Sequence, residues 1–263
     1  MERVGLYLPG EGMLHRWHPL TKLSLGLASL FLAFADLLPW EGVPLFPWIV
    51  ILMLAGLAFL DGFRTFQVWL RRSLLLLLPI LISLVLVQGF FFPGARDVLL
   101  RIGPFSLKSE GLLFGAVIIS RLALVVVAMM LIILTTHPAD LTHSLTQVGV
   151  PREISYVILA AFQLVPRMQA RAQSIIQAQQ ARGLRTEGNL LVRARALLPV
   201  IGPLITSALH ETEERALALE ARAFRAPGPK SSWRQLHDSN TQRLARWLLV
   251  LATLVLFVSS RFL

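Results

Sequence analysis

The sequence predicts an all-α, polytopic membrane protein with about five transmembrane helices and a cytoplasmic pair of long helices between the fourth and last spans. Three observations carry this. Hydrophobic residues make up 55% of the 263 residues, and the mean hydropathy of +0.66 is too high for an ordinary soluble domain. Apolar runs close to 20 residues long, the length that crosses a bilayer, recur along the chain. The formal charge of +10 is unevenly spread: 13 of the 25 Lys and Arg residues fall within residues 167–246. Basic residues are held on the cytoplasmic side of membrane proteins, so that segment is expected inside.

The elements follow in order. Residues 20–40 form a first apolar run and residues 43–60 a second, with Trp40 and Trp48 near one interface, where indole rings are favoured. Residues 61–72 read as a polar loop carrying Arg64, Arg71 and Arg72. Residues 73–92 are the third span, 95–110 a longer Gly- and Pro-containing loop, and 111–134 the fourth span. In TTHPADL, Pro138 and Asp140 fit a turn and a helix start. Residues 154–165, ending at Pro166, and 196–209, broken by Pro199 and Pro203, are too short to cross. Residues 244–259 form a last, short span flanked by Arg243, Arg246 and Trp247. The N-terminus lacks the basic-then-apolar pattern of a signal peptide and is expected in the cytoplasm with the basic insert. The expected organisation is an N-terminal transmembrane bundle over 1–134, a cytoplasmic or interfacial helical region over 135–243 and a C-terminal transmembrane helix over 244–263.

One short phrase occurs twice in the insert. Ala181, Arg182 and Gly183 in AQQARGLRTEG align with Ala221, Arg222 and Ala223 in ALEARAFRAPG, forty residues on. Arg185 then aligns with Arg225. Residues 167–182 are rich in Ala, Gln and Arg, all good helix formers. Gly183 stands where a helix ends on a positive-φ residue. Pro203 begins a second helical run to Arg222, stopped by Pro227 and Gly228. Each arginine is therefore expected at a helix C-terminus, where a cation is favoured and its guanidinium can reach carboxylates or carbonyls of another protein. Small neighbours let a partner backbone approach. The same arginines would equally suit lipid headgroups.

Other chemistry is thinly represented. There is no cysteine, which excludes disulfides, thiol catalysis and Cys-ligated metals. No GxxxxGK[ST] phosphate loop is present, so the chain is expected to bind no cofactor and any ATP to be hydrolysed elsewhere. His210 and Glu214 lie one helical turn apart without a second ligand pair, and His15 and His18 fit a helix cap and interface cluster. No metal site and no catalytic residues are assigned. Arg121 sits near the middle of an apolar span, where a lone arginine is costly and faces the protein interior. It reads as a structural pair, with Asp36 a candidate partner, or as a contact to a partner subunit. An intramembrane lipid-modifying enzyme or a stand-alone carrier or channel would need polar clusters within the spans, which are sparse. The basic residues lie beside membrane segments and point to the lipid bilayer rather than nucleic acid.

Taken together, these stretches resemble the transmembrane T component of energy-coupling factor transporters, the group that includes the cobalt-transport permease. That family carries two Ala-Arg-Gly signatures at the ends of cytoplasmic coupling helices. Ala181, Arg182 and Gly183 match the first, and Ala221 and Arg222 the second, with Ala223 where the family usually has glycine. LHRWHPLTKL resembles the family's His-x-x-Asp-Pro-x-Thr-Lys-Leu stretch, with His18 in place of the aspartate, and TTHPADL resembles its Thr-Thr-x-Pro-x-x-Leu turn. SEGLLFGAVIISRLALVV resembles its fourth-span region. The resemblance implies a non-catalytic subunit that joins a substrate-binding membrane S component to two cytoplasmic ATP-binding cassette ATPases. Arg182 and Arg222 would dock on the ATPases, and the cargo would be a vitamin or transition-metal ion chosen by the S component.

Overall fold

The computed structural model describes residues 7–35, 39–40, 43–93, 98–102, 105–184, 189–228, 236 and 238–260. Asp36 and Arg185 lie outside them. The described residues are all-α apart from two short hairpins. It divides into two compact units, Met1–Val148 with Leu236–Leu263, and Gly149–Gln235.

The first unit begins with the short helix α1 (Met13–Arg16) and with α2 (Pro19–Leu32). His18 caps α2: its backbone is extended, its ring Nδ1 accepts from the Leu20 amide at 3.3 Å, and Pro19 follows where no amide hydrogen is needed. Two residue pairs, β1 (Pro39–Trp40) and β2 (Val43–Pro44), form a minimal antiparallel ladder, Trp40 facing Val43. Then come α3 (Phe46–Asp61) and α4 (Phe63–Phe91). Residues 61–72 are therefore no loop. Gly62, at φ +146°, is the whole connection, and Arg64, Arg71 and Arg72 all lie on α4. A second hairpin pairs β3 (Val98–Ile102) with β4 (Phe105–Lys108) antiparallel, Ile102 opposite Phe105, within the stretch expected as a loop.

α5 (Ser109–Thr135) is the axis of the bundle, with 12 of its 27 residues buried. The apolar core gathers around its second half: Leu124, Val127, Ala128, Leu131 and Leu134 meet Leu54 and Ala58 of α3 and Trp69 of α4. The Trp69 indole donates from Nε1 to the Val127 carbonyl at 3.0 Å, so the largest buried ring carries its polar atom satisfied. α4 and α5 approach closely at Gly111, where an added Cβ would collide with the Gln88 carbonyl. Lys22, 4% exposed, donates to the Thr135 carbonyl at 2.7 Å, a cation on the free end of α5.

α6 (Pro138–Gln147) starts at the anticipated turn, capped by His137, whose Nδ1 accepts from Ala139 at 3.1 Å. α9 (Asn240–Ser259) closes the unit. It runs beside α2 in the same direction. At one end the His18 amide donates to Gln242 Oε1 at 2.8 Å, and at the other the rings of Phe31 and Phe257 meet edge to face at 5.8 Å. Among the described residues three helices are long and apolar enough to cross a membrane, α4, α5 and α9. α2 and α3 have 14 and 16 residues, roughly 21 and 24 Å at 1.5 Å per residue.

The second unit is the helical pair α7 (Arg152–Ala181) and α8 (Leu190–Ala221). The breaks expected at Pro166, Pro199 and Pro203 do not occur: each proline lies inside a continuous helix. A proline removes one i→i−4 bond and kinks a helix. The strong helix formers on both sides, and the partner helix alongside, carry the backbone through.

Candidate functional site

α7 and α8 pack antiparallel, as three contacts show. Arg171 Nη1 donates to the Ser207 carbonyl at 3.3 Å, Arg167 Nη1 reaches Glu211 Oε1 at 3.2 Å, and the Tyr156 and Phe224 rings meet at 5.4 Å. Glu211 is the hub. Besides Arg167 it takes Arg215 of its own helix at 2.5 Å and Arg171 at 3.5 Å. The hydrogen bonds from Arg215 and Arg167 hold the Glu211 carboxyl below the usual range. The i, i+4 pair of Glu211 and Arg215 is thus part of a cross-helix cluster with three guanidinium groups.

Because the helices are antiparallel, the two Ala-Arg phrases lie near opposite ends of the pair. The end of α8 stands beside Tyr156 near the start of α7, so about 25 residues of helix, roughly 40 Å, separate Arg222 from Arg182.

The two ends have one geometry. At the first, Ala181 is the last helical residue, Arg182 the C-cap, and Gly183 turns left-handed at φ +94°. The Gly183 amide donates to the Gln180 carbonyl and the Leu184 amide to the Gln179 carbonyl, both at 2.9 Å. At the second, Ala223 turns at φ +52°, donating to the Glu220 carbonyl at 2.9 Å, while Phe224 donates to Leu219 at 3.0 Å. Both are Schellman caps, with Arg182 and Arg222 at the same position. Ala223 is the only non-glycine with positive φ among the described residues. Alanine thus adopts the turn for which glycine is favoured.

Ala181, Arg182, Gly183, Ala221, Arg222 and Ala223 are all exposed, as is Arg225. Leu184 and Phe224, the residues that follow the two turns, are half-buried, and the Phe224 ring rests against Tyr156. Beside the second end, Tyr156, Leu219, Ala223 and Phe224 border a hollow of about 510 Å³.

The remaining sequence candidates fall elsewhere. Arg121, on α5, is half-buried with its guanidinium carbon 5.8 Å from the centre of the Phe34 ring, a cation–π contact. His210 lies 3.7 Å from Glu213, and both it and Glu214 line the groove around Glu211. His15 pairs with Asp61 at 2.8 Å. Among the described residues no three His, Asp or Glu side chains converge as metal ligands.

Sequence reading missed the junction around His18. Its ring Nε2 lies 3.1 Å from Gln147 Oε1 of α6, while its amide bonds Gln242 of α9. Nearby, Asp238 takes Arg246 at 2.5 Å and Arg243 at 3.6 Å. Burial alone would raise the Asp238 carboxyl; the Arg246 hydrogen bond and the charges of Arg246, His18 and Arg243 outweigh it and hold it below the usual range. Polar residues 129 and 224 positions from His18 in sequence give no local signal of this meeting.

Comparison with known proteins identifies a family. The cobalt transport protein family matches residues 10–233. The energy-coupling factor transporter transmembrane protein EcfT of Brevibacillus brevis is 32% identical over 240 residues, covering 84% of both chains. That of Thermosediminibacter oceani is 29% identical over 252 residues, covering 92% of this chain and 91% of its own. The protein of the same name from Leuconostoc gelidum is 26% identical over 265 residues, with 97% and 96% covered. These relatives are membrane components of transporters, not enzymes. The chain belongs to the cobalt transport protein family, as a transmembrane component of the energy-coupling factor type.

Proposed function

We propose that this chain couples ATP hydrolysis by two cytoplasmic ATP-binding cassette subunits to a substrate-binding membrane S component, for uptake of a vitamin or transition-metal ion. One observation supports this most directly: two exposed arginines, Arg182 and Arg222, each held at the C-cap of a long helix by the same turn. An arginine so placed has a fixed base and a free guanidinium fork that suits carboxylates and carbonyls of a partner. Two equivalent ends, far apart on one rigid helical pair, suit two equivalent ATPase subunits. Ala181, Gly183, Ala221 and Ala223 let those subunits approach the backbone, and Arg225 adds charge beside the second end. The Glu211 cluster ties α7 to α8, so a push on one end is felt by the pair. In this reading the N-terminus and the helical pair are cytoplasmic, the S component selects the cargo, the ATPases bind the nucleotide, and Arg121 supports the bundle.

The test is co-purification in detergent with the ATPases from the same organism, using wild type, Arg182→Glu, Arg222→Glu and the double variant at matched membrane levels. Wild type is expected to retain the ATPases, each single variant to weaken them, and the double variant to lose them. Equal retention by wild type and the double variant overturns the docking role.

A further inference from the structure

A second surface, on the membrane-embedded unit, has a chemistry that ATPase coupling does not use. An open groove of about 620 Å³ runs between α4 and α5. Arg71 and Arg72 border it from α4, Leu75 and Leu76 continue its floor one turn on, and Met129 and Ile133 form the α5 wall. No carboxylate is among the described residues that line it. Arg71 is exposed and Arg72 half-buried, while Leu75, Leu76, Met129 and Ile133 are all exposed. The groove is therefore apolar along its length, with two positive charges set side by side on one wall.

The depth of those charges follows from helix geometry. From Ser73 to Phe91 α4 carries no charged residue. From Arg72 to Phe91 is 19 residues, about 28 Å at 1.5 Å per residue, close to the ~30 Å hydrocarbon thickness of a bilayer. If Phe91 marks one boundary of the hydrocarbon, Arg71 and Arg72 mark the other. Leu75, Leu76 and the facing part of α5 then lie in the acyl region directly beneath.

We propose that this groove is a binding site for one anionic glycerophospholipid, its phosphate held by Arg71 and Arg72 and one acyl chain lying along Leu75, Leu76 and Met129. Guanidinium groups match phosphate oxygens with paired N–H donors. A zwitterionic headgroup would bring a cation for which the groove offers no carboxylate, whereas a headgroup of net negative charge complements both arginines. Methionine at the wall adapts to an irregular chain better than a branched residue. A transmembrane helix of a partner protein fits the groove less well, since it would have to place an acidic residue at the headgroup boundary. That occupant is an outcome of the test.

The experiment is native mass spectrometry of the full chain in detergent, offered equimolar phosphatidylglycerol and phosphatidylcholine with identical acyl chains. Wild type is expected to retain one phosphatidylglycerol with a preference on the order of thirtyfold, the combined effect of two basic residues near an anionic headgroup. Arg71→Gln with Arg72→Gln should abolish the preference. Met129→Trp, which fills the groove and leaves both charges, should lower retention of both lipids. Arg64→Gln, on the same helix but outside the groove, should change nothing. Thermal unfolding of each variant confirms that it is folded. Equal retention of the two lipids by wild type, a preference that survives the double variant, or an equal loss in Arg64→Gln overturns the proposal. So does loss of the lipid when the S component is added, which would make the groove a protein interface.

Discussion

Ala223 stands at the end of α8 where Gly183 stands at the end of α7, and both turn left-handed, at φ +52° and +94°. The left-handed region costs a residue with a Cβ about 1–2 kcal/mol, while glycine enters it freely but is costlier to order. Ala223→Gly is therefore expected to stabilise the protein by about 0.5–1 kcal/mol. Gly183→Ala should destabilise it by about 1 kcal/mol. Nothing lies within 4 Å of a Cβ added at Gly183, so that effect would be conformational alone. Thermal unfolding in detergent measures both, and shifts of the same sign would show that the two caps are not equivalent.

Asp61 organises the entry to the bundle. Its Oδ1 accepts from the Leu14 amide at 2.7 Å and the His15 amide at 3.2 Å, and Oδ2 lies 2.8 Å from His15 Nδ1. His15 Nε2 in turn lies 2.8 Å from the Leu8 carbonyl, whose own amide donates to the Leu134 carbonyl at 2.9 Å. Asp61→Ala strands buried amide donors and should cost about 2–4 kcal/mol. Asp61→Asn keeps an acceptor for the amides and should cost about half of that. Chemical unfolding followed by tryptophan fluorescence distinguishes them; equal losses would mean that the charge, not the cap, matters.

His18 gives the fold a pH dependence. Its Nδ1 accepts from Leu20, so the hydrogen sits on Nε2, which donates to Gln147. A second proton would remove the cap. Burial holds the His18 pKa below its usual 6.5, against the Gln147 bond and the Asp238 charge, and the charges of Arg246 and His143 lower it further. The unfolded chain therefore takes up a proton first. The stability His18 contributes is complete above the unfolded value of 6.5 and falls as pH drops below it, until the folded ring protonates too. Asp238, whose carboxyl is held low, loses its contribution only as pH falls through its depressed value. In His18→Asn the amide oxygen replaces Nδ1 as the cap. The fall in melting temperature just below pH 6.5 should then be reduced. An unchanged slope would assign the effect to another group.

Much of this was legible from local signals. The apolar runs gave α5 and α9, and the His-Pro dipeptides at His18 and His137 mark helix starts because proline needs no amide partner there. The repeated Ala-Arg phrase located both helix ends. What was not legible depended on packing across the chain. Proline was read as a break at Pro166, Pro199 and Pro203, yet a long helix with a partner alongside tolerates the lost bond. The polar composition of residues 61–72 suggested a loop, but Gly62 alone makes the turn. Periodicity says nothing about which way α7 and α8 run, so the placing of Arg182 and Arg222 at opposite ends emerged only from contacts such as Tyr156 with Phe224. Nor does any spacing rule bring Gln147 and Gln242 to His18.

The pairing of α2 with α9 sets an order of assembly. One begins at Pro19 and the other at Asn240. At about 5–20 residues per second of synthesis, roughly 10–40 s pass between their emergence from the ribosome. Until then the His18 amide lacks Gln242, and the face of α2 that will meet Phe257 must be sheltered by lipid or by another protein. The seam between α2 and α9 closes only once α9 has been made. A chain released before Asn240 would keep its coupling pair but leave that seam open, marking the product as unfinished to whatever surveys the membrane.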